Sequence, residues 1–176
     1  MKIVLTGGSS TGKTSLSNEL YKQKLVKNLL YIDIKEIILE MGYNNIDNIN
    51  GNVFLEFQEK IFIKRKILED SLDNYVSDRG FIDGLAYLMA KNIDPKPFIK
   101  MYMNNILQYD YIFYLPGDCI PYQNNNFRSN SSYFNKLVDT NIKKLLLEND
   151  IKYYTLNEPN FDKRIKIIKD IVSTNG

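Results

Sequence analysis

Apolar positions along this chain follow two rhythms. Lys2 to Thr6, Leu29 to Asp33, Tyr75 to Asp78, Tyr111 to Leu115 and Ile151 to Leu156 are short β-prone runs, several of them apolar without alternation, as expected of strands buried on both faces. Between these runs, Lys13 to Lys22, Val53 to Leu72, Phe81 to Met89, Pro97 to Leu107, Phe134 to Leu147 and Phe161 to Val172 read as helices. Alternating strands and helices imply crossover units, hence an α/β fold with a five-stranded parallel sheet and helices on both faces. In the last helix, Phe161, Ile165, Ile168 and Val172 make the stripe expected to face the sheet, while Lys163, Arg164, Lys166 and Lys169 fall largely outside it.

Two polar stretches break the pattern as loops, Asn44 to Asn52 and Gly117 to Ser132. The second is long for a connection in a compact domain, which makes residues 117–132 a candidate lid. An asparagine-rich disordered insert is the alternative. Neither a repeat nor a linker divides the chain, so residues 1–176 are expected to be one domain.

Composition narrows the chemistry. No apolar stretch approaches the ~20 residues that cross a bilayer, and the N-terminus lacks the pattern of a signal peptide, so a cytoplasmic protein without a membrane partner is expected. Cys119 is the single cysteine, which rules out an internal disulfide. A net charge of +2 with both signs interspersed does not favour a nucleic-acid partner. Because the chain has no histidine, a proton acceptor at neutral pH must be sought among the carboxylates.

After the first apolar run comes Gly7-Gly8-Ser9-Ser10-Thr11-Gly12-Lys13-Thr14, followed by Ser15. It fits the phosphate-loop pattern G-x-x-x-x-G-K-[ST] between a strand and a helix, the context that confirms such a match. Glycines let the backbone curl so that consecutive amides point inward, and the helix adds the positive end of its dipole. A nucleoside triphosphate fits that cradle, with Lys13 on the β and γ phosphates and the Thr14 hydroxyl on Mg²⁺.

The third strand ends in "SDRGFIDGLAYL". Asp78 falls at the carboxyl edge of the sheet, where ligands of open α/β folds collect. There it can hold Mg²⁺ through water or take a proton from an attacking hydroxyl. Arg79 is suited to a phosphate or another polar group of the substrate; Asp83, one helical turn on, reads as a surface carboxylate. Arg65 lies in the apolar stripe of the helix Val53 to Leu72. Its expected partner is a substrate phosphate or the Asp78 carboxylate, unless its stem lies on the core with its head in water. Phe57 and Gln58, beside Phe54, can line a base pocket, although aromatic residues at this spacing also serve as core.

The phosphate loop, "SDRGFIDGLAYL" and the stretch from "YDYIFYLPGDC" to "FDKRIKII" together resemble the P-loop kinases and ATPases related to the ribosylnicotinamide kinase domain of NadR. The resemblance implies a P-loop NTPase three-layer sandwich with a lid after the fourth strand, and transfer of the γ-phosphoryl group of ATP to a hydroxyl of a nucleoside, nucleotide or modified pyrimidine. It makes Arg128 the lid arginine that closes over the phosphates, and Asn157-Glu158-Pro159 the segment that grips adenine. In nucleoside kinases a carboxylate after the second strand orients or deprotonates the acceptor. Asp33 is therefore the expected base and Asp78 the metal-linked carboxylate, with the reverse assignment open, as is a role for Asp33 as the cap of a helix starting at Ile34. Two departures bear on the acceptor: "YIDIKEII" stands where relatives often pair an acid with an arginine, and Asn125 and Asn126 stand where they tend to have aspartate and glycine. A kinase of hydroxymethyl-pyrimidine in DNA and an ATP-bound regulatory switch or slow ATPase are the alternative readings.

Overall fold

The computed structural model describes residues 1–117 and 132–175. Their elements run β1 (Lys2–Gly7), α1 (Lys13–Lys22), β2 (Asn28–Leu30), α2 (Ile34–Glu40), a 3-10 turn (Ile46–Asn48), α3 (Gly51–Asp70), β3 (Tyr75–Asp78), α4 (Phe81–Ala90), α5 (Lys96–Leu107), β4 (Tyr111–Leu115), α6 (Ser132–Glu148), β5 (Tyr154–Thr155) and α7 (Phe161–Asn175). All pairings are parallel and the strand order is β2-β3-β1-β4-β5, which puts β1 at the centre.

The period of two along each strand divides the core. Ile3, Leu5, Phe113 and Leu115 point to one face and pack with Leu16 and Leu20 of α1 and Ile165, Ile168 and Val172 of α7. Val4, Ile112 and Tyr114 point to the other and pack against α3, α4 and α6. Because both faces are covered, the middle of β1 and all of β4 carry consecutive apolar residues, the pattern a buried parallel sheet favours. The fold is the three-layer α/β sandwich of P-loop NTPases. Candidate lid positions 118–131, including Cys119, Asn125, Asn126 and Arg128, lie outside the described residues.

Most elements begin and end within one to three residues of the expected bounds, and the larger departures fall at the two edge strands. The run Leu29 to Asp33 yields only the three-residue β2, because the chain leaves the sheet after Leu30 pairs with Ser77. It then enters α2 at Ile34, with the Asp33 carboxylate accepting the Lys35 and Glu36 amides at 2.9 and 3.4 Å. At the other edge, β5 shortens from Ile151–Leu156 to Tyr154–Thr155, since only these two residues pair with β4. The expected loop Asn44 to Asn52 holds the 3-10 turn and the first residues of α3.

Close approach sets glycine at two positions. A Cβ on Gly7, at φ 139°, would lie 2.1 Å from the Leu115 carbonyl oxygen, so only glycine lets the phosphate loop leave β1 beside β4. A Cβ on Gly84 would lie 2.4 Å from Cε1 of Phe62, so this glycine lets α4 sit directly on α3.

Candidate active site

Parallel strands bring every strand-to-helix connection to one edge of the sheet. There a cleft of about 770 Å³ runs from Ser10–Ser15, past Asp78 and Arg79, to Asp33, Phe57 and Gln58. Sequence-predicted residues from four separate segments therefore share one cavity.

The phosphate loop is braced from within. Lys13, almost fully buried, donates from Nζ to the carbonyl of Gly7 and the hydroxyl of Thr11, each at 2.9 Å, and to the carbonyl of Gly8. An ammonium away from water needs such acceptors. Gly12 caps α1 in the left-handed conformation, φ 85°, with no side chain on the helix's first amides. Those amides and the helix dipole favour an anion.

Thr14, in the first turn of α1, donates its hydroxyl to Oδ2 of Asp78 at 2.5 Å. The other oxygen, Asp78 Oδ1, is buried with no hydrogen-bond partner among the described residues. A buried carboxylate oxygen left unpaired is costly, and beside a threonine hydroxyl and a phosphate loop it suits Mg²⁺ or its water shell. Among the described residues no group of three or more Cys, Asp or Glu gathers as a metal cluster. A cation here would draw its remaining ligands from phosphate and water, the usual habit of Mg²⁺.

Arg79 adopts φ 79°, rare for a residue with a side chain. Its carbonyl is held by the Ser77 hydroxyl at 2.6 Å and by Nη1 of Arg65 at 2.8 Å. Its own guanidinium donates to Oδ1 of Asp83 at 3.1 Å and lies 5.5 Å from the centroid of the Tyr87 ring. Burial works against its charge, but Tyr87, Asp83 and Asp78 outweigh that and hold its pKa above the ordinary arginine value. Arg79 thus stays cationic at the cleft wall.

Two expectations are corrected here. Asp83 is buried rather than on the surface, and its Oδ2 accepts the Gly80 amide at 2.8 Å at the start of α4. Arg65 is neither snorkelling nor paired with Asp78: it is 3% exposed, and its Nη1 meets Glu69 at 3.4 Å and the Ser77 hydroxyl at 2.9 Å. The i,i+4 spacing places Glu69 beneath it, which the apolar stripe concealed.

Farther along the cleft, both among its lining residues, Phe57 is fully buried and Gln58 is 3% exposed. Asp33 is exposed on the cleft wall while its Oδ1 caps α2. Tyr87 lines the cleft too, its hydroxyl 3.4 Å from that of Ser9.

Sequence reasoning missed two residues that fasten the loop from outside. Asp139 of α6 accepts the Gly8 amide at 2.9 Å, the Tyr114 hydroxyl at 2.9 Å and the Gly117 amide at 3.4 Å. Arg164 of α7, expected off the packed stripe, is 1% exposed and donates to the Thr11 carbonyl at 2.8 Å and to the Glu158 carbonyl. Phe161, expected on that stripe, is instead 38% exposed at the cleft.

Fold, loop and cleft together define a P-loop NTPase. Residues 2–164 match the family described as AAA domain, and the chain belongs to that family. Among curated protein sequences, none matches the chain. Among solved structures it is similar to deoxyadenosine kinase from M. mycoides (TM-score 0.77, 19% identity, all of both chains) and to thymidylate kinase from Candida albicans (TM-score 0.66, 16% identity, 99% of this chain and 91% of that one). It is also similar to NadR in a complex with NAD and AMP-PNP (TM-score 0.68, 15% identity), where 98% of this chain covers 49% of that one. At these identities the likeness is one of fold, and it agrees with the resemblance read from the motifs.

Proposed function

We propose that the protein is an ATP- and Mg²⁺-dependent kinase that transfers the γ-phosphoryl group to a hydroxyl of a nucleoside, nucleotide or modified pyrimidine. The observation that carries this reading is one cleft of about 770 Å³ whose lining joins the phosphate loop and the Thr14–Asp78 pair to Asp33, Phe57 and Gln58. A hydrolase needs room only for water. A cleft that continues from the phosphate loop to Asp33, Phe57 and Gln58 offers a place for an organic acceptor as well, and the neighbours of like fold include a deoxyadenosine kinase and a thymidylate kinase.

In the reaction, the triphosphate settles on the amides after Gly8, and Lys13 exchanges its loop carbonyls for phosphate oxygens. Thr14 and Asp78 would hold Mg²⁺, which neutralises charge on the phosphate oxygens. Gln58 offers its amide to the edge of a base and Phe57 an apolar wall, so that the acceptor hydroxyl is aimed at the γ phosphorus. Asp33 takes the hydroxyl proton as the new O–P bond forms and the bond to the β-phosphate oxygen breaks, releasing ADP. Arg79, fixed by Asp83 and Tyr87, steadies negative charge on the acceptor side. Arg128 is assigned to the transferring phosphate on the resemblance alone. Catalysis then comes chiefly from positioning and electrostatics.

The test is ADP formation with ATP and Mg²⁺ across nucleosides, nucleotides, nicotinamide riboside and hydroxymethyluracil-containing DNA. One acceptor should give a phosphorylated product, and Lys13→Ala should lower its kcat about 10²- to 10³-fold. If ATP binds and no acceptor turns over, the kinase reading fails and a regulatory switch takes its place.

A further inference from the structure

A buried arginine is costly unless its donors are occupied, and such a residue in a stripe of isoleucines needs a reason. Arg164 spans two strand-to-helix connections that are far apart in sequence. Nη1 reaches the Thr11 carbonyl in the middle of the phosphate loop, and Nε reaches the Glu158 carbonyl between β5 and α7. Further braces run along the same segment: the Glu158 carboxylate accepts the Asn160 amide at 2.9 Å, and the Asn160 side chain accepts the Lys163 amide at 3.0 Å. Phe161, next in the chain, edges the same cleft as Ser10–Ser15. The segment after β5 thus meets the phosphate loop through Arg164 and the cleft through Phe161, and it follows the strand at the opposite edge of the sheet from β2, after which Asp33 stands.

We propose that Arg164 is a positioning residue for the donor nucleotide: by holding the Thr11 and Glu158 carbonyls in one planar fork, it fixes the spacing between the phosphate cradle and the wall that receives the nucleoside half. This inference rests on the donor-site reading given above. Its chemistry follows from the guanidinium. Five N–H groups in a rigid plane define a distance and an angle between two acceptors, whereas a lysine ammonium defines neither. A ligand that uses only the phosphate cradle should be indifferent to that spacing, and one that bridges cradle and wall should not be.

The experiment measures equilibrium binding of Mg·ATP and of Mg·tripolyphosphate to the full chain, as wild type, Arg164→Met and Arg164→Lys, with thermal melting to establish that each variant is folded. ATP affinity should fall about tenfold or more in Arg164→Met, in line with the loss of hydrogen bonds from a charged donor, while tripolyphosphate affinity changes less than about threefold. Arg164→Lys should regain melting temperature without regaining the wild-type ratio of the two affinities. If the methionine variant does not fold, the lysine variant decides by the same ratio. Equal loss for both ligands, or no loss in a folded variant, overturns the inference and leaves Arg164 a packing residue. A wild-type protein that binds neither ligand overturns the donor-site reading itself, and this inference with it.

Discussion

Asp33 shows how one side chain can serve structure and chemistry together. Its Oδ1 caps α2 while the residue stands on the cleft wall, so alanine would confound the two roles. Asparagine separates them, because it caps a helix as well as aspartate does but accepts no proton. Asp33→Asn should therefore leave stability within about 0.5 kcal/mol and ATP affinity unchanged, while lowering kcat about 10²- to 10⁴-fold. A kcat within about threefold of wild type would move the base to Asp78. At this scale the phosphate loop was legible because its chemistry is local: eight consecutive residues, a strand before and a helix after. Asp139 and Arg164 were not, since Asp139 meets Gly8 across 131 residues and Arg164 meets Thr11 across 153. Periodicity sends a lone cation on a helix to solvent, and nothing in α7 itself says that a loop carbonyl waits at its buried side.

Among the strands, those flanked on both sides kept the expected boundaries to within one residue. β3 and β4 match residue for residue, and each is flanked on both sides within the sheet. The edge strands β2 and β5 did not, because an edge strand's length depends on how far its single neighbour runs beside it. The run "YIDIKEII" is β-prone in composition, yet the Asp33 cap turns its second half into α2. Packing between α3 and α4 rests on Gly84, whose missing Cβ admits the Phe62 ring, itself 5.9 Å from Phe81 and 5.1 Å from Tyr102 between centroids. Moving Phe62 would disturb that aromatic cluster, so Gly84→Ala should destabilise the protein by about 1–3 kcal/mol despite alanine's better helix propensity. Urea unfolding checks this; an unchanged or raised midpoint would mean that α4 shifts without strain.

Across the whole molecule, a buried polar chain ties the turn at Arg79 through α3 to Tyr109, in the connection between α5 and β4. Arg65 holds the Arg79 and Ser77 oxygens, Glu69 sits beside Arg65, and Tyr109 donates to Glu69 at 2.9 Å. Glu69 is 3% exposed, and burial raises its pKa above the ordinary 4.5 even though Arg65 and Tyr109 pull the other way. A carboxyl whose folded pKa is raised binds its proton more tightly in the folded state. Its contribution to stability is therefore greatest in acid and is lost as pH climbs from 4.5 through the folded value. Glu69→Gln keeps the shape and the acceptor oxygen but cannot ionise. The stability difference between variant and wild type should thus move in the variant's favour as pH rises from about 4.5 towards neutrality, read by urea unfolding at a series of pH values. A difference that is flat with pH would show that Arg65 and Tyr109 cancel the burial penalty completely. A difference moving against the variant would show the ion pair to be net stabilising. Whichever way the slope runs, the Ser77 hydroxyl at 2.9 Å and the Arg79 carbonyl at 2.8 Å remain acceptors for Arg65 that do not titrate with Glu69, so the turn at Arg79 keeps two of its ties to α3 through the pH range of the experiment.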